Sequence, residues 1–354
     1  MSVFKNLKVV ELASVLAGPA VGMFLAELGA NVIKIENKKT NGDVTRNWKS
    51  SNEKTENLSA YFSSVNWGKE HLFLDYTDEK DFTHLLTLCK EADVIICNFK
   101  YGDAQKFNLT YHDLQKTNSK VIYAQLNGFK SQPERVAFDV VLQAECGYMH
   151  MNGQPDTPPT KMPLALMDIL AAHQLKEGIL VALLKKEKTG KGSLVETSLE
   201  EAALSSLANQ ATNWLMNREI PQRIGSMHPN IAPYGDIFTT KDNKLLVTAI
   251  GSTKQFASFC NILGRSEIAS DTKFSSNQNR LKNRIALQKI LGTLIRACNR
   301  DELIAQCIKK RIPIGGIKNM KEVFSSKTAQ NMLLEEIVNG EKTTRIKSIA
   351  FKIS

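Results

Sequence analysis

Apolar runs of strand length alternate with stretches of helix length through the first half of the chain. LKVVEL (7–12) is a strand-length run, and AGPAVGMFLAELGA (17–30) reads as a helix, with Pro19 suited to its first turn and Gly29 to its C-terminal cap. NVIKIE (31–36) is a second strand. Strand, helix and strand within about thirty residues make a βαβ unit, which requires a parallel sheet. HLFLDY (71–76), DVIICN (93–98) and KVIYAQLNG (120–128) are further strands, with helical segments such as 78–90 between them. This alternation predicts an α/β, doubly wound sheet.

The pattern then lengthens. DILAAHQLKEGILVALLKKEK (168–188) predicts a long helix, apolar enough in its middle to be buried, and TGKG (189–192) ends it. SLVETSL (193–199) predicts a strand, and EEAALSSLANQATNWLMN (200–217) an amphipathic helix with Leu204, Leu207, Ala211 and Trp214 on one face. Pro221, Gly225, Pro229, Pro233 and Gly235 mark 218–235 as a linker. The expected organisation is a large domain over 1–217, that linker, a small domain over 236–325 and a C-terminal return segment over 326–354. IFTTKDNKLLVTAI (237–250) reads as a hairpin turning at Asp242-Asn243, helices follow to about 325, and RIKSIAFKIS returns to strand character.

Composition excludes several classes. No run approaches the ~18 to 20 apolar residues of a membrane span, and the opening residues, broken by Glu11 and ending in Gly-Pro, do not read as a signal peptide. Six cysteines (89, 97, 146, 260, 298 and 307) form no CxxC pair, and no Cys/His cluster has zinc spacing. Free thiols and no export signal point to the cytoplasm. The net charge of +10 would suit nucleic acid or small anionic ligands. The densest basic run, KKEKTGK (185–191), is a solvated helix end, and no basic segment is interleaved with aromatics, so no nucleic-acid partner is expected.

Candidate chemistry lies at two places. The turn 13–19 between the first strand and helix is where open α/β sheets bind nucleotides. It reads AGPAVG rather than GxGxxG, although Glu36 ends the second strand as a ribose-binding acid would. Asp168 opens the long helix, where an aspartate is a favoured N-cap and where a helix terminus also keeps a nucleophilic carboxylate charged. Asp139 could be a base or a cap, and His173 a packed helix residue. No GxSxG or Walker sequence and no metal spacing occurs.

Taken in order, LKVVELASVLAGPAVGMFLAELGANVIKIE, GDVTR (42–46), NWGKEHLFLDY (66–76), ADVIICNFKYG (92–102), NGFKSQPERVAFDVVLQAECGYMHMNG (127–153), LALMDILAAHQLKEGILVALLKKEKTGKGSLVETSL (164–199), MHPNIAPYGDIF (227–238) and IPIGGIKNMKEVF (312–324) resemble the class III CoA-transferases, the CaiB/BaiF type. The resemblance spans almost the whole chain. It implies a Rossmann-like large domain with a parallel sheet, a smaller α+β domain, and a homodimer of interlocked rings. It implies transfer of CoA from an acyl-CoA to a carboxylic acid through an aspartyl anhydride and an aspartyl-CoA thioester, with acyl-CoA as substrate and no tightly bound cofactor.

By position, Asp168 matches the family nucleophile. Val15 and Leu16 occupy the turn that meets CoA, Lys69, which follows an Asn-x-x-Lys pattern with Asn66, is expected to meet the phosphates of CoA, and Asn98-Phe99 match an Asn-Phe pair expected near CoA. Lys38 and Lys106 stand near phosphate-binding arginines, and Gln143 matches a glutamine close to the active site. Three departures matter. Phe138 stands where the racemase branch carries histidine, which argues against the alternative of an α-methylacyl-CoA racemase. The glycine-rich loop of the formyl- and oxalyl-CoA branch is not evident between 218 and 260. The return segment is shorter than the family's, which raises a second alternative, a catalytically weak acyl-CoA-binding homologue.

Overall fold

The computed structural model describes residues 3–353 apart from Asn57 and Asn339. The strand-length runs form β1 (Lys8–Leu12), β2 (Asn31–Asn37), β3 (Glu70–Leu74), β4 (Val94–Cys97), β5 (Ile122–Asn127) and β6 (Ser193–Ser198). They lie in the order β3-β2-β1-β4-β5-β6, and every pairing is parallel. The intervening helices are α1 (Ala17–Glu27), α2 (Glu79–Glu91), α3 (Asp139–Glu145), α4 (Leu166–Thr189), α5 (Leu199–Ser205) and α6 (Ala208–Asn217). Successive strand residues feed opposite faces. Val9, Val32, Val94, Ile96 and Ala124 join a core with α1 and α4. Val10, Leu12, Ile35, Ile95 and Tyr123 join one with Leu85 and Cys89 of α2. The strand order reverses between β1 and β4, so their C-terminal ends open the crevice in which such sheets take ligands.

α1 passes over the buried Glu11 of β1. Only glycine fits at position 22, because a Cβ there would lie 1.9 Å from Glu11 Oε2.

Two helical expectations are corrected. The middle of α4 is not enclosed: Met167, Ala171, Leu175 and Ile179 face the core, but Val181 is 66% and Leu184 60% exposed. The stretch 200–217 is not one helix. α5 ends at Ser205 and α6 begins only at Ala208, whose φ is 47°. α5 buries Leu199, Ala202 and Ala203, whereas Leu204, Trp214, Leu215 and Met216, much of the apolar set, are exposed. Periodicity marks a face suited to burial but not what covers it. Here the sheet has room for only the opposite side of α4 and for the small residues of α5.

The chain divides into two compact units. The sheet unit runs to Met149 and resumes over Lys161–Pro221 and from Thr328 onward. Its last part is an antiparallel hairpin, β10 (Leu333–Val338) with β11 (Glu341–Ile346). The hairpin is anchored by Arg345 Nη2, 2.6 Å from Glu27 Oε1. The last strand ends at Ile346, and the described residues after it, 347–353, are not strand.

The second unit comprises His150–Thr160 and Gln222–Lys327. In it β7 (Tyr234–Thr239), β8 (Leu245–Ala249) and β9 (Ile314–Gly316) form an antiparallel sheet. The β7–β8 turn falls at Asp242-Asn243 as expected, with Asn243 at a φ of 54°. Much of the segment read as linker, 222–235, groups with this unit. Arg284 fixes it by donating to the carbonyls of His228 (2.6 Å), Ile231 (3.0 Å) and Tyr234 (3.1 Å). Residues 150–160, read as part of the large domain, also group here. No helix among the described residues is long and apolar enough to cross a membrane.

Candidate active site

Asp168 lies in the first turn of α4, but it is not the N-cap; Ala165 holds that position and has no capping side chain. The missing cap is supplied from elsewhere. Asp139 Oδ1 accepts the backbone N–H of Met167 at 2.7 Å, and Asp139 Oδ2 accepts from Gln143 Nε2 at 2.6 Å. Gln143 Oε1 in turn accepts from the Met162 N–H at 2.7 Å. Asp139 thus does for α4 what the sequence suggested Asp168 might do, and it leaves the Asp168 side chain free.

The Asp168 carboxylate receives no hydrogen bond or ion pair among the described residues, yet it is only 8% exposed. Burial pushes its pKa up to about 7, and the charge of Asp139 adds to the shift. An acid destabilised as an anion, unpaired and open to a ligand, has the properties of a carboxylate nucleophile. The charge of Asp168 also acts on Tyr61. Burial pushes the Tyr61 hydroxyl up to about 12, and the charges of Asp168, Asp139 and Asp43 act on it in the same direction. A hydroxyl held in its protonated form keeps a proton that it can donate. Phe138, the position at which the resemblance sets a histidine in the racemase branch, is exposed and is the N-cap of α3.

The β1–α1 turn is the second cluster. Asn98, at the end of β4, accepts the Ser14 N–H and donates to the Ser14 carbonyl, both at 2.9 Å. Val15 takes a φ of 72°, and Asp43 Oδ2 accepts its N–H at 3.1 Å. α1 then opens without a side-chain cap. Val15, Leu16 and Asn98 therefore come together at the reversal of the strand order, while Phe99 packs partly buried against the α2-side core. Lys38 and Lys106, in short helical turns that follow β2 and β4, are exposed.

Two expectations, for Lys69 and Gln143, need correction, and the nucleotide role for Glu36 that the sequence already disfavours falls with them. Lys69 is not placed to meet phosphate. Its ammonium is fully buried, 2.7 Å from Glu11 Oε2, and donates to the Pro19 carbonyl and Asn66 Oδ1, each at 2.9 Å. Burial pulls it down to about 8 against the attraction of Glu11. Gln143 is wholly buried and supports Asp139 and the 162–164 segment rather than a ligand. Glu36 is not free for a ribose: Arg46 donates to both its oxygens (2.6 and 2.7 Å), and His71 Nδ1 lies 2.8 Å away. These contacts, with the Asp43 N–H, hold its carboxyl well below the usual range although burial opposes them. Asp43 and Tyr61 were not singled out from sequence. The only trace of Asp43 was the GDVTR segment, which carried no stated role, and Tyr61 left none.

A family model described as CoA-transferase family III matches residues 4–354. The succinate–glutarate CoA-transferase of Agrobacterium fabrum is 34% identical over 351 residues, covering 97% of this chain and 87% of that protein. The acetyl-CoA:oxalate CoA-transferase of Acetobacter aceti is 33% identical, covering 94% of this chain and 85% of that protein. A CaiB/BaiF family protein from Brucella suis, solved by crystallography, is 35% identical, with a TM-score of 0.84 over 98% of this chain and 92% of that one.

Proposed function

The chain belongs to CoA-transferase family III and is a CoA-transferase, and we propose that it works through Asp168 on a small dicarboxylic acid and its CoA thioester. The observation that carries the reading is the buried, unpartnered carboxylate of Asp168 beneath a helix start capped by another residue.

The proposed cycle balances without a net proton. An Asp168 oxygen attacks the acyl carbon of the donor thioester; the C–S bond breaks, leaving a mixed anhydride and CoA thiolate. The thiolate attacks the aspartyl carbonyl of the anhydride and expels the donor acid, giving an aspartyl-CoA thioester. The acceptor carboxylate attacks that thioester and releases the thiolate again. The thiolate then attacks the acceptor's acyl carbon, forming the new acyl-CoA and freeing Asp168. Each step exchanges one activated acyl bond for another, which keeps the barriers low. Exposed Lys38 and Lys106 suit the phosphates of CoA, and the Val15–Leu16 turn with Asn98 suits its pantetheine end.

A dicarboxylate is proposed because the relatives named above act on succinate, glutarate and oxalate. A homodimer is proposed too. Its support is the exposed apolar set on α4 and α6, Val181, Leu184, Leu215 and Met216, which a second copy would cover. The test is a mass-spectrometric exchange screen, with succinyl-CoA and acetyl-CoA offered against mono- and dicarboxylates, followed by hydroxylamine trapping. Exchange onto dicarboxylates, with the label on the peptide that contains Asp168, is expected. Full exchange by Asp168→Asn would overturn the nucleophile.

A further inference from the structure

Val15 is the one β-branched residue among the described residues at which a non-glycine φ is positive. For such a side chain the left-handed region is a true outlier, and it persists only where its surroundings impose it. The surroundings are specific. Lys34 Nζ donates to the Ala13 carbonyl at 2.6 Å, Asn98 grips both polar groups of Ser14, and Asp43 takes the Val15 N–H. The polar groups of three successive turn residues are thus held by side chains from three other places in the chain.

Asp43 is the keystone of this arrangement. Its side chain is fully buried, lies 3.1 Å from Lys34 Nζ, and is itself fixed by the Thr45 N–H (3.0 Å) and hydroxyl (2.8 Å). Lys34 also meets Glu11 Oε1 at 3.0 Å, and the other oxygen of Glu11 meets Lys69. Two cations and two anions are therefore buried together beneath the turn. The GDVTR segment carries Asp43 to this position. Gly42 has a φ of 91°, and a Cβ on it would lie 2.3 Å from Glu36 Oε2; Arg46 locks the segment to Glu36. A buried ionic cluster is not a route to stability in itself, since apolar packing of the same volume often does as well. Holding a strained backbone at a ligand crevice is a reason for it to be there.

We propose that Asp43 is a positioning residue for acyl-CoA: by holding the Val15 N–H it keeps the β1–α1 turn in its left-handed conformation, and that turn is the backbone surface on which the thioester end of CoA is seated. The inference rests on the CoA-transferase site read above and adds to it a residue that touches neither the nucleophile nor, by this account, the ligand.

The experiment is a double-substitution cycle of Asp43→Ala and Val15→Gly, read by calorimetric titration of free CoA and by the KM for succinyl-CoA against kcat. Glycine adopts a positive φ without strain and needs no clamp. D43A is expected to weaken CoA binding about tenfold or more, the scale of a buried charge-assisted contact, and to raise KM more than it lowers kcat. V15G placed on D43A is expected to recover at least about threefold of that loss. If D43A does not fold, D43N, which keeps an oxygen acceptor but loses the charge, takes its place in the cycle. Independent effects of the two substitutions, or a D43A protein that melts lower yet binds CoA as tightly as the parent, would overturn the proposal and leave Asp43 a residue of the fold alone. A parent protein that binds no CoA would instead overturn the site reading on which it rests.

Discussion

Asp168 is a carboxylate that the fold makes harder to ionise, and both its reactivity and its cost to stability follow from that. The nucleophilic form is the anion, so kcat/KM is expected to rise with pH through about 7, the value to which burial and Asp139 push this group. Asp139→Asn keeps an oxygen for the Met167 N–H but removes the neighbouring charge, so the rising limb should move to lower pH; pH–rate profiles of the two proteins check this. Stability runs the other way. Between the ordinary aspartate value and about 7 the folded chain holds a proton that the unfolded chain has released, so stability falls as pH rises through that window. Asp168→Asn should therefore be inactive yet more stable than the parent at pH 8, by on the order of 4 kcal/mol at most, with no such gain at pH 3. Urea titrations at both pH values decide it. Sequence offered Asp168 as a cap or a nucleophile and Asp139 as a base or a cap; the cap of α4 comes from Asp139, 28 positions before the Met167 whose N–H it accepts. The lysines divide in the same manner. Lys38→Ala and Lys106→Ala should weaken CoA binding with little change in melting temperature. Lys69→Ala should lower the melting temperature, because it leaves Glu11 buried without one of its cations. Nothing in the pattern Asn-x-x-Lys says that the side chain turns inward.

The elements themselves were legible where burial follows from the sheet. Each of the six strands was marked by its apolar run, and β1, α1 and β2 follow the expected βαβ order closely because both faces of a parallel sheet are covered. What was not legible depends on single contacts. α1 lies against β1 only because position 22 has no side chain, so Gly22→Ala should destabilise the protein by about 1 to 3 kcal/mol through overpacking against Glu11. A lowered denaturant midpoint with an unchanged slope would bear this out. The break between α5 and α6 falls in a stretch with unbroken helical periodicity and no proline or glycine, so no local signal announced it.

For the whole molecule, the exposed apolar residues of α4 and α6 are the chief departure from a face-in, face-out reading. They make a specific expectation: the protein is a dimer in solution, and light scattering at micromolar concentration should give twice the chain mass. Replacing Val181 and Leu184 by Asp should yield monomer or aggregate without unfolding the sheet, as far-ultraviolet dichroism would report. The expected organisation set a large domain over 1–217 and a small one over 236–325; the compact units comprise Met1–Met149, Lys161–Pro221 and Thr328–Ser354, and His150–Thr160 with Gln222–Lys327. Proline and glycine marked 218–235 as a break, whereas Arg284 ties 222–235 into the second unit by carbonyl contacts that sequence spacing does not encode.

The six thiols give the molecule a use as its own reporter. Cys89, Cys97 and Cys146 belong to the sheet unit and Cys260, Cys298 and Cys307 to the other, and all but Cys298 are buried. Burial raises every one of these thiols, Cys89 and Cys97 to about 12. A thiol that is both hidden and held in its protonated form is nearly inert to alkylation, so each can be modified only when its surroundings open. Alkylation under native conditions, resolved peptide by peptide, would time the opening of the two units separately in one unlabelled sample. Saturating CoA should slow modification of Cys97, at the end of β4 beside Asn98, more than that of Cys260 or Cys307.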